Sequence, residues 1–482
     1  MKFFRWQKGS EKFILIIIFL LIFFLHFWKV GELFYFGIDE EYQSLLALSI
    51  IKDFHVIWIG LSAANTGFYI GPGLVYVHSL LLWLSKLDPI ILAYSASTIS
   101  FLTLIVLFLV VKHLFDKKTA IITSVIYSFS SFILSYDRRF WNSTFVPITT
   151  ILFFLSLVKS QKNPRWYILT AALLGFSFHI NASLFIFIPI LLVIMYNRLI
   201  NCTHKKNLKI SFFTIVSSLI VFIMIYSPLI VFDFVHNFDN LKTPIRMLQN
   251  IGKEIGGLSF YSNLQTMQST LTNFWYMDSL PQIISLVIFL CSLTLIILFI
   301  LRKKTFQEKI LAIIIGFYLF VFMFYPGKIL DYYYLGFFPF FAIVVSLFLK
   351  RFNYIILLLL GFIFVVNSFV NLFNWPINSG LATKKELIKK TVSVIGNDSF
   401  YLETNQDYLY FGGWRYLFEA YGKRPASSQA DTMFGWIYPK EISSEKPELK
   451  VIISTNKIQP KEKILKTIVE GSYLSYIVKN SL

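Results

Sequence analysis

Cysteine and acidic residues are scarce in this chain of 482 residues, and charge is thin throughout. The two cysteines, Cys202 in a basic loop and Cys291 inside an apolar run, exclude a disulfide-stapled secreted domain. Charged residues make up 15% of the chain, against roughly 25% in soluble domains. That deficit excludes an ordinary soluble protein, and the accompanying 56% of hydrophobic residues excludes disorder, collagen and coiled coil. No internal repeat stands out, and no low-complexity tract apart from the apolar runs. Acids number 26 against 44 Lys and Arg, a net charge of +18 that would suit nucleic acid. The positions exclude that partner: the basic residues flank apolar runs in short loops, as orientation in a membrane requires.

What the chain has in abundance is 53 Phe, 26 Tyr and 10 Trp, set in long apolar runs. A hydrocarbon core of about 30 Å takes roughly 20 helical residues. Candidate spans are 13–28, 89–111, 119–136, 143–158, 166–178, 182–197, 211–232, 281–301, 310–325, 332–349 and 352–373. The first is followed by Lys29, Val30, Gly31 and Glu32, with no small-residue cleavage site, so it reads as a span and not a cleaved signal.

Stretch 73–87 is apolar but short, and whether it crosses decides the side of every later loop. Lys2, Arg5, Lys8 and Lys12 put the N-terminus in the cytoplasm. If 73–87 does not cross, the later cytoplasmic loops hold 16 Lys and Arg and the later outer loops six. If it crosses, that ratio inverts. It therefore reads as an interfacial or re-entrant helix in a long first outer loop, 29–88.

The expected fold is an α-helical polytopic membrane protein of eleven spans, in the cell (plasma) membrane and with the C-terminus outside. Residues 1–373 form the membrane domain and 374–482 a small α/β domain on the outer face. In that second domain 383–395 and 461–470 read as helices, and 399–402, 449–454 and 473–478 as strands. With this orientation, Glu11, Asp116 and Glu308 lie inside, and twelve acids before residue 374 lie outside. Solvated loops account for such a bias, and so does a site on the outer face.

Five segments at outer ends carry the candidate chemistry. Asp39, Glu40 and Glu41 follow the first span. Asp39 can cap a helix over 40–53, and a carboxylate near an apolar boundary can also serve as a general base. Asp137, Arg138, Arg139, Trp141 and Asn142 follow the third span, where two outer arginines run against the orientation rule. Interfacial anchoring explains them, and so does a phosphate gripped by guanidinium forks. His179 ends the fifth span, Asp233, His236 and Asn237 end the seventh, and Tyr332, Tyr333 and Tyr334 lie at a later outer turn. For His179 the plain reading is a structural one. His236 and Asp233 form a weak pattern for metal, and tyrosines at such a level form an aromatic belt by default.

The order of these segments resembles the C-type membrane glycosyltransferases, in particular bacterial and archaeal relatives of protein O-mannosyltransferases and aminoarabinose transferases. The resemblance covers residues 1–373 and rests on Asp39-Glu40, on Gly71-Pro72-Gly73, on the run from Arg138 to Asn142, on the run from Pro228 to Phe238, and on Tyr332 through Pro339. It implies a polyprenyl-phosphate sugar donor, an acceptor hydroxyl on a protein, lipid or glycan, and transfer with inversion on the outer face. It also implies Asp39 as general base, Glu40 and Asp137 ordering the site or a divalent cation, and Arg138 or Arg139 holding the phosphate. Trp141, Asn142, His179, Asp233, His236 and Tyr333 would then contact substrate, with Asp39, Glu40, Asp137 and His236 the possible metal ligands. One departure stands: aminoarabinose transferases carry a phosphate-binding lysine ahead of a Pro-Pro pair in the first loop. This chain has Ile70-Gly71-Pro72-Gly73 there, leaving that role vacant or to an arginine or Lys86. The rival classes are a flippase or transporter and a polymerase or ligase of lipid-linked glycans. A transporter would show repeats and charges within spans; here the ionisable residues sit at span ends.

Overall fold

The computed structural model of the chain describes all residues except 1–7, 63–65, 202–211, 255–257, 278–279, 303, 444–446, 456–458 and 481–482. Cys202, Asp278 and the orientation residues Lys2, Arg5, Lys205, Lys206, Lys209 and Lys303 lie outside the described residues. The chain runs α1 Lys8–Phe27, α2 Val30–Leu33, α3 Ile38–Asp53, α4 Gly73–Leu84, α5 Ile90–Leu114, α6 Lys117–Ser128 and α7 Ser131–Asp137. It continues through α8 Val146–Ser160, α9 Trp166–Ile180, α10 Phe187–Asn201, α11 Phe212–Val235, α12 Asp239–Glu254 and α13 Leu258–Trp275. Then come α14 Gln282–Leu301, α15 Phe306–Phe324, α16 Phe338–Leu349 and α17 Tyr354–Phe373.

Among the described residues, six helices are long and apolar enough to cross a membrane: α5, the Asn142–Ser160 unit ending in α8, α11, α14, α15 and α17. The pair α6 and α7, bent by 72°, makes a seventh if counted as one span. The bend has a local cause. Ser130 leaves the helix, its hydroxyl accepts the N–H of Ile133 (3.4 Å) and donates to the carbonyl of Phe274 (2.8 Å). A side chain that caps the second helix while bonding a neighbour resets the chain direction there.

Helix α4 has 12 residues, about 18 Å of rise, too short for a hydrocarbon core of about 30 Å. One face, with Leu74, Val75, His78 and Leu82, is buried, while Tyr76, Leu80, Trp83 and Leu84 on the other are exposed. Such a helix has apolar surface on both sides, one packed on protein and one available to lipid.

After α17 come α18 Leu381–Ile395, β1 Phe400–Thr404, α19 Asp407–Tyr410, α20 Trp414–Tyr421, β2 Ser427–Ser428, α21 Asp431–Phe434, β3 Leu449–Thr455, β4 Ile464–Glu470 and β5 Tyr473–Lys479. The strands form one mixed sheet of order β2-β1-β3-β5-β4, parallel between β1 and its two neighbours and antiparallel elsewhere. One sequence expectation fails here: 461–470 is not a helix. Ile464, Thr467, Ile468 and Val469 are residues that favour a pleated strand. Gly471 at φ +54 closes a tight turn that pairs β4 with β5.

This unit is not an appendage. Its core residues Leu381, Leu387, Phe400, Trp414 and Tyr416 belong to one buried cluster with Phe34, Phe36, Leu45, Leu74 and Phe140 of the membrane-side chain.

Candidate functional site: carboxylates against an arginine

Helix α3 begins two residues earlier than the sequence suggested, with Gly37 as its N-cap. The N–H of Gly37 donates to Oε2 of Glu40 (3.0 Å), so Glu40 supplies the capping oxygen and Asp39 does not. Successive helical residues turn by 100°, and the three carboxylates point three ways accordingly. Asp39 keeps a side chain 37% exposed, with Oδ2 3.9 Å from Nη2 of Arg139. Glu40 is wholly buried and accepts from Arg139 at 3.2 Å (Nε) and 3.1 Å (Nη2) on Oε1. Glu41 is buried in the opposite direction, where Oε1 accepts the N–H of Tyr416 (3.0 Å).

Burial raises the pKa of Asp39 above the ordinary aspartate value, with the Arg139 guanidinium opposing. Burial likewise raises that of Glu40, with Arg139 opposing. Burial pushes Glu41 up to about 7, against the Tyr416 N–H bond and the nearby Arg415 and Lys384 cations.

Arg139 is walled by aromatic rings, 4.7 Å from Tyr35 and 4.3 Å from Trp141. Trp141 stacks on Tyr136 at 5.8 Å and meets the edge of Tyr332 at 4.8 Å. Tyr332 in turn packs on Tyr333 at 4.6 Å and lies within electrostatic reach of Asp39. Asn142 is tied to the same helix face through Gln43, whose amide donates to its Oδ1. Asp39, Glu40, Arg139, Trp141, Asn142 and Tyr333 are thus gathered around the start of α3.

Other candidates sit elsewhere. Asp137 lies 3.2 Å from Nε2 of His26 on α1. Arg138 turns away from Arg139: Nη2 donates to the carbonyl of Trp28, the guanidinium lies 5.9 Å from the Trp375 ring, and Nη1 is buried with no hydrogen-bond partner among the described residues. His179 accepts the N–H of Gly73 on Nδ1 (3.1 Å) and bonds the Ile225 carbonyl through Nε2 (2.7 Å), tying α4 to α9 and α11. Asp233 accepts the N–H groups of Asn240 (3.0 Å) and Leu241 (3.3 Å) at the start of α12. His236 is exposed, stacked on Phe232 at 4.0 Å. Among the described residues no three His, Cys, Asp or Glu side chains come together as a metal ion would need. In particular, Asp137 and His236 do not join Asp39 and Glu40.

Sequence reasoning passed over Gln43, Tyr35 and His26. Gln43 had a signal, since it lies one turn beyond Asp39 on a helix and so shares its face. His26 and Tyr35 had none, because their partners are distant in sequence.

A groove of about 740 Å³ runs between α1, α5 and the start of α18, floored by Leu20, Phe23, Phe27 and Tyr94 and rimmed by Lys29 and Lys385. Trp28, which binds Arg138 through its carbonyl, also lines it.

Residues 72–231 match the family described as dolichyl-phosphate-mannose-protein mannosyltransferase, a segment that begins after the acidic residues. No curated protein matches the sequence. Among solved structures the chain is similar to ArnT from Cupriavidus metallidurans bound to undecaprenyl phosphate, with a TM-score of 0.65, 11% identity and 98% of each chain covered. The apo state of that protein gives 0.62 at 10% identity, again with 98% of each chain covered. The Archaeoglobus fulgidus oligosaccharyltransferase in its apo form gives 0.52 at 12% identity, over 93% of this chain and 70% of that one. At such identities the likeness is one of fold. The chain thus shares the fold of ArnT over nearly its whole length, and the segment 72–231 within it is similar to the mannosyltransferase family.

Proposed function

We propose that this protein transfers a sugar from a polyprenyl-phosphate donor to an acceptor hydroxyl at the outer face of the cell membrane, with inversion. Eleven spans, a cytoplasmic N-terminus and an outer unit over 374–482 belong to this reading. The single observation that carries it is the meeting of the first-loop carboxylates with Arg139 in an aromatic-walled site. The undecaprenyl phosphate held by ArnT supports the class of carrier, and the apolar groove beside Arg138 is of the kind a prenyl chain would occupy.

The chemistry follows from the geometry. Asp39, partly exposed and raised in basicity, removes the proton of the acceptor hydroxyl. The freed oxygen attacks the anomeric carbon, the bond to the phosphate oxygen breaks, and the phosphate departs with the electron pair. Glu40 and Arg139 neutralise one another and hold the start of α3. Arg139 being so engaged, the leaving phosphate falls to Arg138, whose Nη1 has no partner among the described residues. A fixed cation there lowers the barrier because charge grows on the phosphate as the bond breaks. The half-buried rings of Tyr332 and Tyr333, near Asp39, offer faces for the sugar, with Trp141 packed behind them.

The test is incubation of the purified full-length protein with radiolabelled polyprenyl-phosphate sugars and hydroxyl acceptors. Label should pass to an acceptor and polyprenyl phosphate should be released. Release of neither across a panel of carriers and sugars would sink the reading.

A further inference from the structure

The outer unit reaches the acidic segment through an unusual group. Lys384 on α18 is buried, yet among the described residues its ammonium donates to two main-chain carbonyls, Phe36 at 2.9 Å and Gly412 at 2.6 Å. Its charge lies 5.0 Å from the Trp414 ring. Burying an ammonium is expensive, and a neutral residue would fill the same volume more cheaply.

What the position gains is a hold on one short stretch of backbone. The N–H of Leu381 donates to the carbonyl of Phe34 (3.1 Å). Lys384 takes the carbonyl of Phe36, and the N–H of Tyr416 is bonded by the carboxylate of Glu41. Phe36 also stacks on Tyr416 at 5.6 Å. Three bonds from the outer unit therefore bracket residues 34–41, with Asp39 and Glu40 between the last two. Gly413, at φ +76, lets the loop before α20 come against Phe36, where a Cβ would lie 2.4 Å from the ring.

We propose that Lys384 is a positioning residue for sugar transfer: the outer unit clamps the entry to α3 and so fixes where Asp39 points relative to Arg139. The proposal rests on the reading of Asp39 as the base. Reacting groups must be held to within a fraction of an ångström, and a misplacement of about 1 Å lowers rates by roughly a hundredfold. Burial brings Lys384 down to about 8, with Glu41 and Glu40 opposing, so the clamp gains its charge as pH falls through that value.

Lys384→Met in the full-length chain, assayed with a polyprenyl-phosphate sugar and its acceptor, is expected to lower kcat by about ten- to a hundredfold. The donor KM should stay within about twofold, since neither the groove nor Arg138 touches Lys384. The acid limb of the pH profile should move toward the ordinary aspartate value as Asp39 becomes better solvated. Lys384→Arg, which keeps donors for both carbonyls, should recover much of the rate. If folded Lys384→Met turns over at the wild-type rate with an unmoved acid limb, the clamp is only structural and the proposal falls. Should that variant fail to accumulate, Lys384→Gln, which keeps a neutral donating nitrogen, decides on the same readouts. Asp39→Asn run in parallel separates the two ideas. A wild-type rate there overturns the base assignment, while a slow Lys384→Met beside it leaves the clamp standing for another group on the same segment.

Discussion

Three consecutive acids carry three different loads, and their single-residue variants should separate accordingly. Asp39 does not cap α3 and lies at 3.9 Å from Arg139, against 3.1 Å for Glu40, so Asp39→Asn should leave thermal stability near wild type. Transfer should fall by about 10²–10⁴-fold, the usual size of general-base help. A raised pKa also fixes a sign: the base works when deprotonated, so kcat/KM should fall as pH drops through a value above the ordinary 3.8. An acid limb at or below that value would speak against Asp39. The two arginines should part in the same way. Arg138→Ala should weaken donor use by ten- to a hundredfold, corresponding to about 1.5–3 kcal/mol for a charge-assisted contact. Arg139→Ala instead strands the buried Glu40, and removing one member of a buried pair costs about 3–5 kcal/mol, read as a lowered melting temperature. Equal melting temperatures for the two variants would contradict this division.

At the scale of elements, the entry to α4 shows how a sequence landmark acquires its reason. A Cβ on Gly71 would lie 2.2 Å from Nδ1 of His179. That ring cannot step aside freely, because it accepts the Gly73 N–H and bonds the Ile225 carbonyl. With Nδ1 an acceptor, Nε2 carries the proton, and the imidazole is neutral. Gly71→Ala should therefore destabilise the protein by about 1–3 kcal/mol through overpacking. His179→Ala in the same background should relieve part of the clash, which a thermal double-mutant cycle would detect. Additive effects of the two changes would mean that the contact is not what constrains Gly71. Local patterning placed most elements well: 383–395, 449–454 and 473–478 each fall within two residues of α18, β3 and β5. It failed at 461–470, whose lysines favoured a helix while its β-branched residues answered to β5 alongside.

For the whole molecule, the shared core between the C-terminal unit and the first loop predicts that both lie on one side of the membrane. Cysteine labelling from outside, in a background free of Cys202 and Cys291, should modify Ser85→Cys and Ser399→Cys in intact cells. Protection of Ser399→Cys with labelling of a cytoplasmic control such as Lys162→Cys would reverse the orientation. Labelling at 399 with protection at 85 would show that α4 crosses.

The sequence by itself determined the membrane class, the lengths of the apolar runs, the distribution of basic loops and the residue types available at their ends. Those properties are local, since a helix in lipid satisfies its own backbone and needs only sufficient length and apolarity. Tertiary structure decided which of the clustered side chains meet. Glu40 and Arg139 are 99 residues apart, His26 and Asp137 are 111 apart, and Lys384 lies 348 from Phe36, whose carbonyl it binds. No periodicity or motif encodes such pairings. They follow from the bend after α6, which carries Arg139 onto α3, and from a core that closes only when the end of the chain packs on its beginning.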